Sequence, residues 1–439
     1  MDRMQKLNIL GDAAKFDASC ASSGSGRAGK PGQLGNAFSA GICHTWGADG
    51  RCICLLKVLQ SNVCIYDCQY CHNRCSNDVP RATFRPEELA ELTVQFYRRN
   101  YIEGLFLSSG VIRNPDYTME QMIQTMRILR DTHKFGGYIH VKTIPGADMR
   151  LVTGAGLLAD RVSVNIELPS SGSLALLAPD KKPEMIFSPM RGIDSARRMY
   201  LEDGQKHRHA PLFAPAGQST QMIVGATGDT DRTILRLSGG LYRKFRLKRV
   251  YFSAYIPVGT HPALPPRETA PVPLLREHRL YQSDWLMRFY SFSPDEITEN
   301  GELLDMDVDP KCAWALRHPE FFPVEANRAD RETLLRVPGV GVRSADKIIE
   351  ARRYGPLRPE NLRKLGIVMK RARFFLTAGG KYEGESRHDH PFLRELLTDR
   401  FDNGQTSLFA GQGVSALPPA PEAPAAAPAA PSFLKMINA

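Results

Sequence analysis

Cys64-Ile65-Tyr66-Asp67-Cys68-Gln69-Tyr70-Cys71 sets three thiols on one short loop with the spacing C-x3-C-x2-C. Three thiolates placed this way can each bind one iron of a [4Fe–4S] cluster, which leaves the fourth iron without a protein ligand. An open coordination position is where a substrate or cofactor binds. A zinc loop or a set of plain buried thiols is the alternative, but zinc sites usually pair C-x2-C with a second, distant pair, and a first gap of three fits that poorly.

Outward from the loop the chain alternates. Leu55–Gln60, just before it, reads as an apolar strand, and Leu105–Leu107, Tyr138–Val141, Val162–Ile166, Met222–Val224 and Val250–Ala254 read as further strands. Helical patterns separate them, among them the segment opened by Arg85-Pro86-Glu87-Glu88, Thr118–His133, Ser195–Glu202 and Asp231–Phe245. Apolar strand and helix in six repeats predict parallel β/α units closing into a barrel or partial barrel. The fold class expected is therefore α/β, a partial (β/α)6 barrel over residues 55–300. An N-terminal cysteine-containing segment covers 1–54, and residues 18–42, rich in Ser, Gly and Ala, read as loop.

After residue 300 the pattern changes to short helical segments with glycine turns, and an all-α domain is expected over 301–382. Residues 325–382 hold 14 Lys/Arg against 6 Asp/Glu, a surplus of +8 within the whole chain's +10. Here Leu334-Leu335-Arg336-Val337-Pro338-Gly339-Val340-Gly341-Val342-Arg343-Ser344-Ala345-Asp346-Lys347 resembles a helix–hairpin–helix motif, a phosphate-binding turn of nucleic-acid-binding proteins. Gly339, Val340 and Gly341 form the turn, and Arg343 and Lys347 add charge. A degenerate second copy follows, with Gly366 in the place of Gly339, Lys370 in that of Arg343 and Ala372 in that of Ala345. Paired hairpins hold duplex DNA by its backbone without reading sequence; a hairpin used only for packing is the bland alternative. Arg243-Lys244-Phe245-Arg246-Leu247-Lys248-Arg249 is a further basic run, either lining a nucleic-acid channel or solvated. Residues 383–439 are expected to be a flexible tail, almost all Ala and Pro over 414–431, and Gln405-Thr406-Ser407-Leu408-Phe409 is similar to peptides that bind the bacterial sliding clamp.

The composition, 42% hydrophobic and 24% charged over 439 residues, excludes global disorder. No run of about 18 apolar residues exists, so no membrane span is expected, and the start lacks the apolar core of a signal peptide, which points to the cytoplasm. Eight of the nine cysteines lie between Cys20 and Cys75. That clustering suits metal or redox chemistry better than a disulfide scaffold. Cys20, Cys43 and Cys52 are the best set for a second cluster or metal, with plain reduced thiols as the alternative; Cys54, Cys75, His44 and His72 lie nearby. Cys312 stands apart, as a hydrogen-atom donor or simply a small buried residue.

The triplet, with Tyr70 before its third cysteine and a strand before its first, resembles the radical S-adenosylmethionine superfamily. The resemblance implies that Cys64, Cys68 and Cys71 ligate the cluster and that S-adenosylmethionine binds its open iron. Electron transfer from the cluster then yields a 5′-deoxyadenosyl radical that abstracts hydrogen. By position it also assigns cofactor binding to Tyr70, to Ser109 and Gly110 at the second strand end (Ser-Ser-Gly where the family carries a Gly-rich motif), and to Asn165 and Glu167 at the fourth. Ile223–Gly225 and Tyr255–Pro257 fall near the expected adenine site. Residues 5–380 resemble more closely a bacterial family of radical S-adenosylmethionine proteins assigned to DNA modification or repair. The matching words are Ala14–Asp17, Gly41–His44, Asp49–Cys52, the triplet, Arg98–Gly110, Asn165–Pro169 and the hairpin. This implies DNA as partner, an electron donor, and a companion similar to uracil-DNA glycosylases. An enzyme acting on RNA and a non-catalytic DNA-binding redox sensor are the rival readings.

Overall fold

The structure is a computed structural model that describes residues 1–14, 42–46, 52–259, 261–266, 274–299, 301–384, 392–398 and 433–438, with 42–46 and Cys52 as backbone only. Cys20 and the Gln405–Phe409 peptide lie outside the described residues. The chain forms two compact units. The first comprises Met1–Asp229, Gly240–Pro273 and Ala427–Ala439, and the second Thr230–Gly239 and Leu274–Ala426.

A seven-stranded sheet in simple sequential order builds the first unit: β1 (Ile42–Trp46), β2 (Cys52–Leu59), β3 (Gly104–Ser108), β4 (Tyr138–Lys142), β5 (Arg161–Ser163), β6 (Gly217–Val224) and β7 (Arg249–Ala254). β1 pairs antiparallel with β2, and β2 to β7 are parallel throughout. Helices Pro86–Arg98, Pro115–Arg127, Met149–Leu158, Glu184–Lys206 and Asp231–Phe245 connect the parallel strands. The strands are buried on both faces because one face meets the helices and the other the interior; Leu55, Leu105, Val141, Val162, Met222 and Val250 are fully buried, while β6 also buries the polar run Gln218–Gln221. Among the described residues β7 does not pair back to β1 or β2, so the six β/α units make an open, partial barrel as expected.

Four local features differ from the sequence reading. β1 lies at residues 42–46, where no strand is predicted; five residues are too few to show a period. β5 ends at Ser163 rather than at residue 166. Beyond it the chain still follows β6, but Ile166 N–H donates to the Thr220 hydroxyl at 3.0 Å in place of a ladder bond. Glu167 then turns through φ 68° and re-pairs with Met222. The expected tail also contains ordered segments. Helix Leu393–Leu397 buries both of its terminal leucines, and helix Phe433–Asn438 lays Phe433 against Phe187 with ring centroids 5.2 Å apart.

The fourth difference is in the second unit, which is not purely helical. β8 (Val324–Glu325), β9 (Leu376–Ala378) and β10 (Lys381–Tyr382) form a small sheet. Strands of two or three residues leave no alternation to read. One carboxylate holds this sheet together: Glu325 accepts the N–H groups of Asn327, Gly379 and Gly380 and the Thr377 hydroxyl, all within 3.1 Å. Partial burial alone would raise the Glu325 carboxyl, but the N–H donors of Gly380, Asn327 and Gly379 outweigh it and hold the group at about 2, against 4.5 ordinarily. A depressed folded-state pKa gives stability that is complete above pH 4.5 and is lost as pH falls toward 2. Glu325→Gln should therefore lower stability at neutral pH and flatten the acid limb between those values, read by circular dichroism across a pH series.

Candidate metal and cofactor site

The three cysteines follow β2 at the C-terminal ends of the parallel strands, where sites collect in open α/β sheets. The loop has almost no regular structure, and its backbone groups are satisfied from outside. Arg81 supplies four of the bonds: its guanidinium donates to the carbonyls of Asn62 (2.6 Å), Asn73 (2.9 Å), Arg74 (2.7 Å) and Asn77 (2.8 Å). Asp67 ties the loop to its exit by accepting from the Ser76 hydroxyl at 2.6 Å and from Gln69 Nε2 at 2.9 Å. Cys71 N–H closes a tight turn onto the Cys68 carbonyl at 2.8 Å.

The neighbouring strand end completes the cradle. Val111 N–H donates to Cys64 Sγ at 3.4 Å, and Ile65 N–H returns a bond to the Val111 carbonyl at 2.8 Å. A Cβ on Gly110 would lie 2.6 Å from the Val63 carbonyl oxygen and 3.2 Å from Cys64 Cβ, so only glycine lets the two loops approach this closely.

An open cavity with ≈ 950 Å³ of empty space out to its mouth is lined by Cys64, Cys68 and Cys71 together with Tyr70, Ser109, Gly110, Glu167 and Ile223. Seven of the eight cluster and cofactor residues read from sequence thus meet at one place. Asn165 is the exception: it is buried, absent from the lining, and donates to Gln221 Oε1 at 3.2 Å, so it acts on the cavity through a residue that does line it. Arg74, Lys142, Lys181 and Gln221 also line the cavity and were not picked out from the sequence. Lys181 donates to Glu167 Oε1 at 3.0 Å and to the Tyr70 hydroxyl at 3.2 Å, and Lys142 stands 4.0 Å from Glu167 Oε1.

Cys68 and Cys71 are electrostatically frustrated by themselves. Burial, reinforced by the neighbouring Cys68, pushes the Cys71 thiol up to about 12, and burial likewise raises Cys68. Burial works against a charged Lys181, but Cys68, Glu167 and Tyr70 overcome it and hold the ammonium well above its usual range. A polycationic iron–sulfur core would relieve these two thiols, because each could then ionise against metal. The residues fit such a group: there is an N–H donor on the Cys64 sulfur, a backbone cradle that a Cβ would fill, and a buried Asn73 Oδ1 with no protein partner on the cavity wall. Among the described residues no three His, Cys, Asp or Glu side chains converge as they would on a single ion. Cluster thiolates bind separate irons and stand further apart than that.

The second-metal set fares differently. Cys43 pairs with Leu55, whereas Cys52 pairs with Trp46 and Cys54 with His44, so Cys43 and Cys52 sit at ribbon positions of opposite parity. Cys312 is fully buried in helix Pro310–Arg317 of the second unit, a core position. In the basic run Arg246 is bound to Asp194 at 3.0 and 2.9 Å, while Arg243, Lys244 and Lys248 are exposed.

In the second unit, helices Arg331–Arg336 and Val342–Ala351 flank the first glycine turn, and Pro359–Lys364 and Met369–Ala372 the second. The two copies correspond in backbone: Gly339 has φ 86° and Gly366 φ 82°, and Ala345 and Ala372 are both fully buried. They also bind each other, Val368 N–H to the Gly339 carbonyl at 3.0 Å and the Ser344 hydroxyl to the Gly366 carbonyl at 2.9 Å. A Cβ on Gly339 would meet the Val368 carbonyl oxygen at 2.5 Å, so this glycine serves hairpin-to-hairpin packing. Gly341 has φ −93° and is the N-cap of its helix, with no side chain capping the first N–H groups. Arg343, Lys347 and Lys370 are exposed and Val340 is buried.

No family model and no curated protein sequence matches the chain. Solved structures that are similar to part of it include the following two. Methylornithine synthase (PylB) aligns with a TM-score of 0.40 at 16% identity, over 53% of this chain and 60% of that one. HydG, a maturase of the [FeFe]-hydrogenase, aligns with a TM-score of 0.36 at 14% identity, over 52% and 48%. The chain thus spans about half to three-fifths of the length of the structures it matches.

Two substitutions test the close approaches. Gly110→Ala should cost about 1–3 kcal/mol of overpacking and lower the iron retained after anaerobic reconstitution, read by iron analysis against a folded control spectrum. Gly339→Ala should lower the thermal midpoint of the protein clearly more than Gly341→Ala, whose Cβ would meet only Tyr290 Oη at 3.6 Å and would cost only the poorer N-cap.

Proposed function

We propose that the chain is a radical S-adenosylmethionine enzyme that acts on DNA. The observation that carries the first half is the cavity in which Cys64, Cys68 and Cys71 meet Gly110, Glu167 and the cations Arg74, Lys142 and Lys181. Bound together, a [4Fe–4S] cluster and S-adenosylmethionine supply a 5′-deoxyadenosyl radical for hydrogen abstraction. The chain's own residues hold and shield these groups. Cys64, Cys68 and Cys71 would bind three irons, and the Val111 N–H draws charge from the Cys64 sulfur. Ser109 and Glu167 offer acceptors, and Arg74, Lys142 and Lys181 offer donors, for the zwitterionic amino-acid end of the cofactor. An external electron donor is required by the chemistry.

Support for DNA comes from the second unit: the +8 surplus over residues 325–382, the uncapped N–H groups that begin helix Val342–Ala351, and exposed Arg343, Lys347 and Lys370. A uracil-DNA-glycosylase-like companion and the sliding clamp are further proposed partners, on sequence resemblance. Among the described residues no helix is long and apolar enough to cross a membrane.

Anaerobically reconstituted protein with dithionite should form 5′-deoxyadenosine, and joint replacement of Cys64, Cys68 and Cys71 by Ala should abolish it. Persistence in that variant would overturn the cluster assignment; no product from the parent would favour the redox-sensor reading. Duplex DNA should bind with a steep salt dependence, and Arg343→Ala should reduce the slope by roughly one. Stronger competition by tRNA than by duplex would move the assignment to RNA.

A further inference from the structure

We propose that the solvent face of helix Leu274–Phe289 is a stacking platform for an unpaired base of the nucleic acid held by the adjoining hairpin. This deepens the DNA reading above and rests on it. The helix buries Arg279, Leu280, Ser283, Asp284 and Leu286 on one side. On the other it leaves Trp285 49% and Phe289 40% exposed, with ring centroids 4.3 Å apart. Two large aromatic side chains in mutual contact and half open to water forgo part of the stabilisation that burial would return. Such a pair calls for a flat apolar partner.

Area decides the partner. Fully buried aromatic side chains cover about 150–250 Å² each, so this half-exposed pair offers roughly 200 Å². A stable protein contact needs about 800 Å² on each side. The face of a single base fits the smaller figure. The Arg288 guanidinium, ion-paired to buried Asp284 at 3.3 Å, lies 4.9 Å from the Phe289 ring centroid and borders the aromatic surface.

The platform is also continuous with the hairpin. Tyr290, the residue after Phe289, has its hydroxyl 3.6 Å from where a Cβ on Gly341 would stand. Lys311 Nζ stands 4.7 Å from the Tyr290 ring centroid and donates to the Val340 carbonyl at 2.7 Å. The aromatic pair and the uncapped helix start at Gly341 thus belong to one packed unit, in which the positive surplus is confined to residues 325–382. A strand whose phosphate meets the hairpin can turn out a base onto Trp285 and Phe289, as single-strand binders do with aromatic side chains.

The test uses full-length protein and two oligonucleotides, a blunt duplex and the same duplex with a short single-stranded extension carrying 2-aminopurine. The parent should bind the extended duplex at least about fivefold more tightly, the low end for one base stacked on an aromatic side chain. It should also quench the 2-aminopurine. Trp285→Ala with Phe289→Ala should remove both the preference and the quenching while blunt-duplex affinity stays unchanged; Trp285→Phe should keep most of each. A double variant that retains the preference, or loses affinity for both duplexes alike, overturns the platform. So does a change of sedimentation state in the double variant, which would make a second copy the occupant. A parent that binds neither duplex overturns the DNA reading itself and the platform with it.

Discussion

One guanidinium shapes the site. Between Asn62 and Asn77 the chain leaves the sheet, and backbone carbonyls that leave a ladder must find donors elsewhere. Arg81 bonds four of them, at Asn62, Asn73, Arg74 and Asn77, from a planar fork that cannot lose its charge. It thereby joins the entry of the cysteine loop to its exit. The loop closes against the β3 end only because Gly110 has no side chain, and the Val111 N–H then reaches the Cys64 sulfur. The positions of the thiols follow from these few bonds rather than from packing of the loop itself.

The electrostatics of the cavity point the same way. Buried thiols resist ionising, and Cys71 is held at about 12. Buried ammonium and carboxylate groups are costly unless paired, and Lys181, Glu167 and the Tyr70 hydroxyl pair with one another at 3.0 and 3.2 Å. Glu167 reaches this network through a left-handed backbone turn, uncommon for a residue with a side chain and frequent where function outweighs local comfort. The cavity thus lines buried thiols with a mutually paired set of donors and acceptors.

What the sequence reveals is set by range. The thiol spacing and the apolar strands are local patterns, so the loop and the six parallel strands are readable directly. Gly339 and Gly366 are readable as turns, but the reason for Gly339 lies 29 positions away at Val368, where a carbonyl fills the space a Cβ would need. Lys181 sits in an unremarkable Asp-Lys-Lys stretch, and its partner Tyr70 is 111 residues distant. Asn165 occupies a plausible strand-end position, yet its amide is spent on Gln221. β8 to β10 are too short to carry a period, and what fixes them is the set of donors gathered by Glu325.

The central claim is that this loop holds a cluster with one iron left open to a second ligand. Mössbauer spectroscopy of protein reconstituted with ⁵⁷Fe, recorded before and after S-adenosylmethionine is added, tests it most directly. About a quarter of the cluster iron should change its isomer shift on addition while the rest stays as it was, since three irons carry thiolates and one does not. Iron that responds uniformly, or not at all, would contradict the claim.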